Sequence, residues 1–296
     1  MPSPSLRAPL FRSCTSRGLG VLAGLLATLA PTAASAASPV PDPFVSDPVT
    51  DLGVLSVAIG FSALLEIIIG TGELAPQQPI STSRLSWIDR PAVTRHIDPD
   101  APMLSNYGAG AALLFAVAAP VFTGFQRSGK AGLVEATLYA QSLALTWSVT
   151  NLAKIAVRRP RPLAYQRQEE LKREYGDKAP NIAETDTALS FFSGHTAFTS
   201  TVTATATYMA FVRAPGTARP WVTLSTGSLL TAFVGLQRIR AGRHFPTDVI
   251  AGALAGAGIG VLVPHLHRAT PSKLRGTTGD TSSTVRSPVF AFDGTF

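Results

Sequence analysis

Apolar residues fall in six blocks along this chain, roughly 52–74, 103–125, 131–153, 190–212, 221–237 and 247–265, separated by polar or charged segments. Several approach the ~20 residues that an α-helix needs to cross a bilayer; the fifth is the shortest. The blocks are rich in Ala, Gly, Ser and Thr rather than Leu, as expected where helices pack closely in lipid. The pattern predicts an all-α chain, a polytopic membrane bundle of about six helices. Gly252, Gly256 and Gly260 form two overlapping GxxxG spacings in the last block and predict a close helix–helix contact there. Glu66 and Glu135 lie inside apolar blocks. Interhelix hydrogen bonding, or a place at a block edge, accounts for both.

Outside the blocks the chain divides further. Residues 1–36 read as a signal peptide: Arg7, Arg12 and Arg17 precede the apolar run Gly18 to Ala30, and Ala34-Ser35-Ala36 is a small-residue cleavage site. An uncleaved anchor is the alternative. A Pro/Ser/Asp-rich linker follows at 37–51. Residues 52–268 read as the helical domain, and 269–296 as a flexible tail. Cleavage would remove three cations and no acid, taking the net charge from +7 to +4, together with Cys14, the only cysteine.

Composition sharpens the membrane reading. The chain is 46% hydrophobic and 15% charged, against roughly 25% charged in soluble domains. The positive charge is not a nucleic-acid signal, since the cations sit at block edges and no basic–aromatic stripe accompanies them. At those edges they would meet anionic headgroups or substrate.

Three clusters at block edges carry the chemistry. The first is Lys154 followed by Arg161-Pro162, the second Phe192-Ser193-Gly194-His195, and the third Arg238, His244 and Asp248. Lys154, Arg161 and Arg238 are donors without acceptor capacity and suit the non-bridging oxygens of a phosphoryl group. Ser193-Gly194 ahead of an apolar run suggests a helix N-terminus, where free N–H groups favour an anion, and Gly194 allows close approach. His244 and Asp248 are four apart and would share a helix face, the carboxylate orienting the ring. His195 supplies a second titratable group, as needed if one histidine attacks and the other protonates the leaving oxygen. Singly, each cluster has a plainer reading: a capping histidine, a membrane-flanking charge cluster, a surface i,i+4 pair. Their conjunction selects a phosphate site. Arg158, Arg159, Arg240 and Arg243 lie beside these positions and read as solvated or headgroup-facing.

The sequences KIAVRRPRP, FSGH and QRIRAGRHFPTD resemble the motifs KxxxxxxRP, PSGH and SRxxxxxHxxxD of the phosphatidic acid phosphatase type 2 (PAP2)/vanadium haloperoxidase superfamily. Phe192 stands where the family usually has Pro, and Gln237 where it usually has Ser. The resemblance implies a PAP2-like core and a phosphohistidine mechanism without metal or other cofactor. His244 would attack phosphorus, Asp248 hold its ring, and His195 protonate the leaving group and then activate water. Lys154, Arg161, Arg238, Ser193 and Gly194 would bind the phosphoryl oxygens, with Pro162 fixing the turn that aims Arg161. The implied substrate is a lipid phosphomonoester or diphosphate of the phosphatidate, phosphatidylglycerophosphate, polyprenyl diphosphate or lipid A class.

All three clusters fall on one face of the expected bundle. Basic residues in the short connections and tail (Arg127, Lys130, Arg213, Arg219, Arg268, Lys273, Arg275) mark the other face as cytoplasmic. That orientation makes the site periplasmic or extracellular, in a bacterial-type inner membrane. A cleaved leader followed by six crossings argues the reverse. The two agree if 52–74 does not span, or if the leader is retained without a separate crossing. An exported soluble acid phosphatase of the same superfamily, or a non-catalytic lipid-phosphate-binding membrane protein, are the other readings.

Overall fold

A computed structural model describes residues 42–74, 77–182 and 184–269; the expected signal peptide and most of the expected tail lie outside them. The described residues form long helices joined by irregular segments, one-turn 3-10 helices and a single β-bridge. The helices are α1 (Pro48–Gly70), the short α2 (Arg90–Thr94), α3 (Ala101–Gln126), α4 (Gly129–Val157), α5 (Pro162–Tyr175), α6 (Gly194–Arg213), α7 (Arg219–Arg240) and α8 (Pro246–Leu266). The six apolar blocks become α1, α3, α4, α6, α7 and α8. The polar connection after the third block folds in part into α5.

Local signals set the ends. Asp47 accepts from the Val49 N–H at the start of α1 and Ser128 from the Ala131 N–H at the start of α4. Proline occupies the first turn of α1, α3, α5, α7 and α8, where its missing N–H costs nothing. Helix α1 begins inside the stretch read as linker. Phe44, also in that stretch, is buried and bridges to Arg268.

Three helices, α1, α3 and α8, are long and apolar enough to cross a membrane. They present large side chains outward, among them Val57, Val117 and Leu254, as a lipid-facing wall would. Helices α4, α6 and α7 carry more polar residues, and these are buried against neighbours. Thr146 pairs with Thr201 at 2.8 Å, and Ser200 donates to the Ala253 carbonyl at 2.7 Å. Glu135 accepts from Thr123 at 2.7 Å and pairs with Arg213; Glu66 accepts from Asn151 at 2.6 Å. Both glutamates of the apolar blocks thus join helices, as expected.

Helix α6 is the axis of the bundle, packed by α8 and α7 and, less extensively, by α4 and α3. The α6–α8 contact is made by the glycine ladder. A Cβ on Gly252, Gly256 or Gly260 would lie 2.6, 2.1 or 2.5 Å from the carbonyl oxygens of Ser193, Ala197 and Thr201 respectively. Backbone meets backbone along two turns of α6, which only glycine permits. The top of this ladder is Ser193, so the contact also fixes the turn that opens α6.

Candidate active site

The C-terminal ends of α4 and α7 and the N-terminal ends of α3, α6 and α8 meet at one end of the bundle, and the three clusters meet with them. Backbone hydrogen bonds stitch their loops together. Leu163 N–H donates to the Gly242 carbonyl at 3.1 Å, Ser190 N–H to Arg159 at 3.0 Å, and Ser193 N–H to Asp248 at 3.0 Å. Gly242, with φ of +64°, makes the left-handed turn that brings His244 back over the bundle after Arg238.

His244 is 3% exposed, and its Nδ1 donates to the Ser190 carbonyl at 2.6 Å. In the neutral ring that bond leaves Nε2 as an unprotonated lone pair, the form a nucleophile needs. Burial first, then the charges of Arg238 and Arg161, hold the His244 pKa well below 6.5; the Ser190 bond opposes them, and Lys154 adds to the repulsion.

Asp248 does not hold the ring. Its Oδ2 accepts from Ser190 Oγ at 2.5 Å and from the Phe245 N–H at 2.9 Å, and its Oδ1 from Arg159 at 2.5 Å. Among the described residues no hydrogen bond joins it to His244. The i,i+4 reading fails because Phe245, ahead of Pro246, is extended (ψ 158°) and helix α8 starts only at Pro246. Asp248 instead acts one step back, by fixing the Ser190 segment whose carbonyl holds His244.

Arg159 also departs from expectation. Its guanidinium stands over the Phe245 ring at 4.1 Å, donates to Thr247 Oγ1 at 2.8 Å, and bridges Asp248 to Asp89 at 2.9 Å. Burial works against its charge, but Asp248 and Asp89 outweigh that and raise its pKa above the ordinary value. Asp89, 1% exposed, also accepts from the Thr247 N–H and hydroxyl at 3.1 and 2.7 Å. The chain Asp89–Arg159–Asp248–Ser190 is therefore an internal strut beneath His244, not a headgroup contact. Arg240 pairs with Asp98 at 2.5 Å at the margin, and Arg158 is the left-handed cap of α4.

The cations face the same space. A Cβ on Gly194 would lie 4.0 Å from Lys154 Nζ, so the open first turn of α6 adjoins that ammonium. Arg238 reaches Ser105 at 3.4 Å, a long bond, and Arg161 meets Asp186. The Nε atoms of both arginines are buried with no hydrogen-bond partner among the described residues. Buried donors left open in this way suit an incoming anion. His195 Nε2 lies 2.8 Å from Asn106 Oδ1 on α3. The Ser193 hydroxyl lies 2.9 Å from Thr196 Oγ1 and is fully buried. With Phe192 in place of proline, Ser193 still stands at the N-cap position of α6, without a side-chain capping hydrogen bond. The Oε1 of Gln237 is buried without a partner among the described residues.

Asp89, Asn106, Arg159 and Ser190 are site components that the motif spacing does not reveal, and Asp186 lies at the site's border. Asn106 alone carries a signal, as an amide within an apolar block.

The chain matches no curated protein and no solved structure. Residues 135–271 match the family model described as the PAP2 superfamily. That range contains all three clusters, which the fold gathers at one end of an all-helical bundle, and over it the chain is similar to the PAP2 superfamily.

Proposed function

We propose that this protein is a membrane phosphatase that hydrolyses a lipid phosphomonoester or diphosphate through a phosphohistidine on His244. The observation that carries the reading is the 2.6 Å bond from His244 Nδ1 to the Ser190 carbonyl, which leaves Nε2 free beside three cations. The PAP2-superfamily match supports phosphatase activity, and the three apolar helices support membrane association.

In the first step His244 Nε2 attacks phosphorus, the phosphorus–oxygen bond to the leaving group breaks, and His195 protonates the departing oxygen. Lys154, Arg161, Arg238 and the Gly194 N–H bind the equatorial oxygens and offset charge as it develops. The Ser193 hydroxyl joins them by turning from Thr196. In the second step neutral His195 takes a proton from water, which attacks phosphorus and releases His244 and orthophosphate. With Asn106 Oδ1 as acceptor, Nε2 of His195 keeps its proton and Nδ1 exchanges one.

Helix α1 runs parallel to α4, from Asp51 beside Gln141 to Glu66 beside Asn151. In the proposed topology it crosses with the other long helices. Arg127, Lys130, Arg213, Arg219 and Arg268 then share the face opposite the site. The positive-inside tendency orients that face to the cytoplasm and the site outward.

Phosphate release by the purified full-length chain tests the reading, with phosphatidate, diacylglycerol diphosphate, polyprenyl diphosphate and lipid A offered in detergent. Turnover of one or more that is lost in His244→Ala supports it; a folded protein that releases phosphate from none removes it.

A further inference from the structure

The connection between α4 and α6 carries an exposed carboxylate into the cation cluster. Asp186 sits on the 3-10 turn Thr185–Ala188 with its side chain 65% exposed, yet both its oxygens are engaged. Arg161 grips it with Nη1 at 3.0 Å and Nη2 at 2.9 Å, and Arg243 adds Nη1 at 3.1 Å. Arg161 is itself only 8% exposed. A buried guanidinium of the first cluster thus turns its fork toward a solvent-facing acid.

The turn is tied where it stands. Arg161 N–H donates to the Thr187 carbonyl at 2.8 Å, and Thr185 Oγ1 donates to the Gly72 carbonyl at 2.7 Å. Asp186 is therefore presented to Arg161 by the fold. A carboxylate on a guanidinium fork makes the same paired N–H···O bonds as two phosphate oxygens would. Arg243 directly precedes His244, so the segment that sets the nucleophile also sets this second guanidinium.

We propose that Arg243 joins Arg161 as a phosphate ligand, and that the Asp186 carboxylate occupies their shared seat until the substrate phosphate displaces it. The proposal rests on the reading of the cation cluster as a phosphate site. Exchange is favourable because the solvent-exposed Asp186 carboxylate brings one charge and two oxygens, whereas a phosphate brings close to two charges and three acceptor oxygens. Asp186 then competes with phosphate binding and has no part in the chemical step.

Orthophosphate binding to the full-length protein, by calorimetry in detergent, tests this beside kcat and KM on a hydrolysed lipid phosphate. Asp186→Asn should bind orthophosphate about three- to tenfold more tightly and lower KM by a similar factor, with kcat nearly unchanged. Asp186→Glu, which keeps the charge, should stay near wild type, and Arg243→Gln should weaken orthophosphate binding. A folded Asp186→Asn protein that binds orthophosphate no more tightly than wild type overturns the proposal, as does one that loses kcat, since Asp186 would then serve to orient Arg161. If wild type and every variant fail to bind orthophosphate, the phosphate-site reading falls and this proposal with it.

Discussion

Ser190 holds His244. Its carbonyl accepts from Nδ1 at 2.6 Å, while its hydroxyl donates to Asp248 at 2.5 Å. One residue therefore links the proposed nucleophile to the carboxylate of the same motif, and Asp248 orients the ring only through it. Asp248→Asn keeps a side-chain carbonyl for one of these donors but removes the charge facing Arg159. It should lower kcat by about 10–10³ with KM changed little, smaller than the ~10⁴ typical when an acid directly sets a histidine tautomer. Steady-state kinetics on both variants would check this, with Ser190→Ala expected to lose less because its carbonyl remains.

Arg159 bridges two buried carboxylates. Arg159→Ala leaves Asp89 and Asp248 facing each other's charge without a counterion, and breaking such pairs costs about 3–5 kcal/mol. A fall of roughly 5–15 °C in the thermal midpoint is expected. A solvated, headgroup-facing arginine would give almost none.

The environment of His244 sets the pH response. Burial and neighbouring cations disfavour its protonated form, so its pKa lies below 6.5 and the neutral ring persists as pH falls past that value. The acidic limb of kcat/KM, corrected for the substrate's own ionisation near pH ~6, should therefore fall below pH 6.5. Arg238→Gln should move that limb upward, since Arg238 is the largest cause after burial. A wild-type limb at or above 6.5 assigned to His244 would contradict this account.

Among the described residues the side-chain hydrogen bond of Asn106 goes to His195, which makes it a positioning residue. General acid–base catalysis contributes about 10²–10⁴, and loss of ring orientation should forfeit about ten- to a hundredfold of that. Comparison of substrates with good and poor leaving groups isolates the effect. Asn106→Ala should slow the poor leaving group most, and equal slowing of both would assign Asn106 to structure alone.

The glycine ladder offers a stability test with an internal control. Gly256→Leu would drive a Cβ to 2.1 Å from the Ala197 carbonyl, a backbone atom with nowhere to go, whereas Gly258 has nothing within 4 Å. Gly256→Leu should destabilise by at least the ~1–3 kcal/mol of ordinary overpacking, and Gly258→Leu should be near neutral. Thermal unfolding in detergent distinguishes them.

These contrasts mark what a linear pattern carries. Lys154, Arg161, His195, Arg238 and His244 are legible because phosphate chemistry requires those residue types, and apolar blocks fix which ends of helices they occupy. The GxxxG spacing likewise translates directly into the α6–α8 contact. Partners drawn from distant loops are not legible: Asp89 reaches Thr247 across the bundle end, and Ser190 acts on His244 through a main-chain oxygen that any residue could supply. The separation of Asp248 from His244 has a visible cue. Pro246 excludes Phe245 from the helix, so His244 and Asp248 could not share its face.

The central claim is that phosphorus becomes bonded to His244. Rapid acid-free quenching of the His195→Ala variant with a terminally phosphorus-labelled lipid diphosphate, whose phosphate leaving group departs without an acid while loss of the base slows the second step, followed by peptide mapping, addresses it directly. The account predicts an alkali-stable, acid-labile label on His244, absent from the double variant with His244→Ala. Label on another residue, or near-wild-type phosphate release by His244→Ala alone, would contradict it.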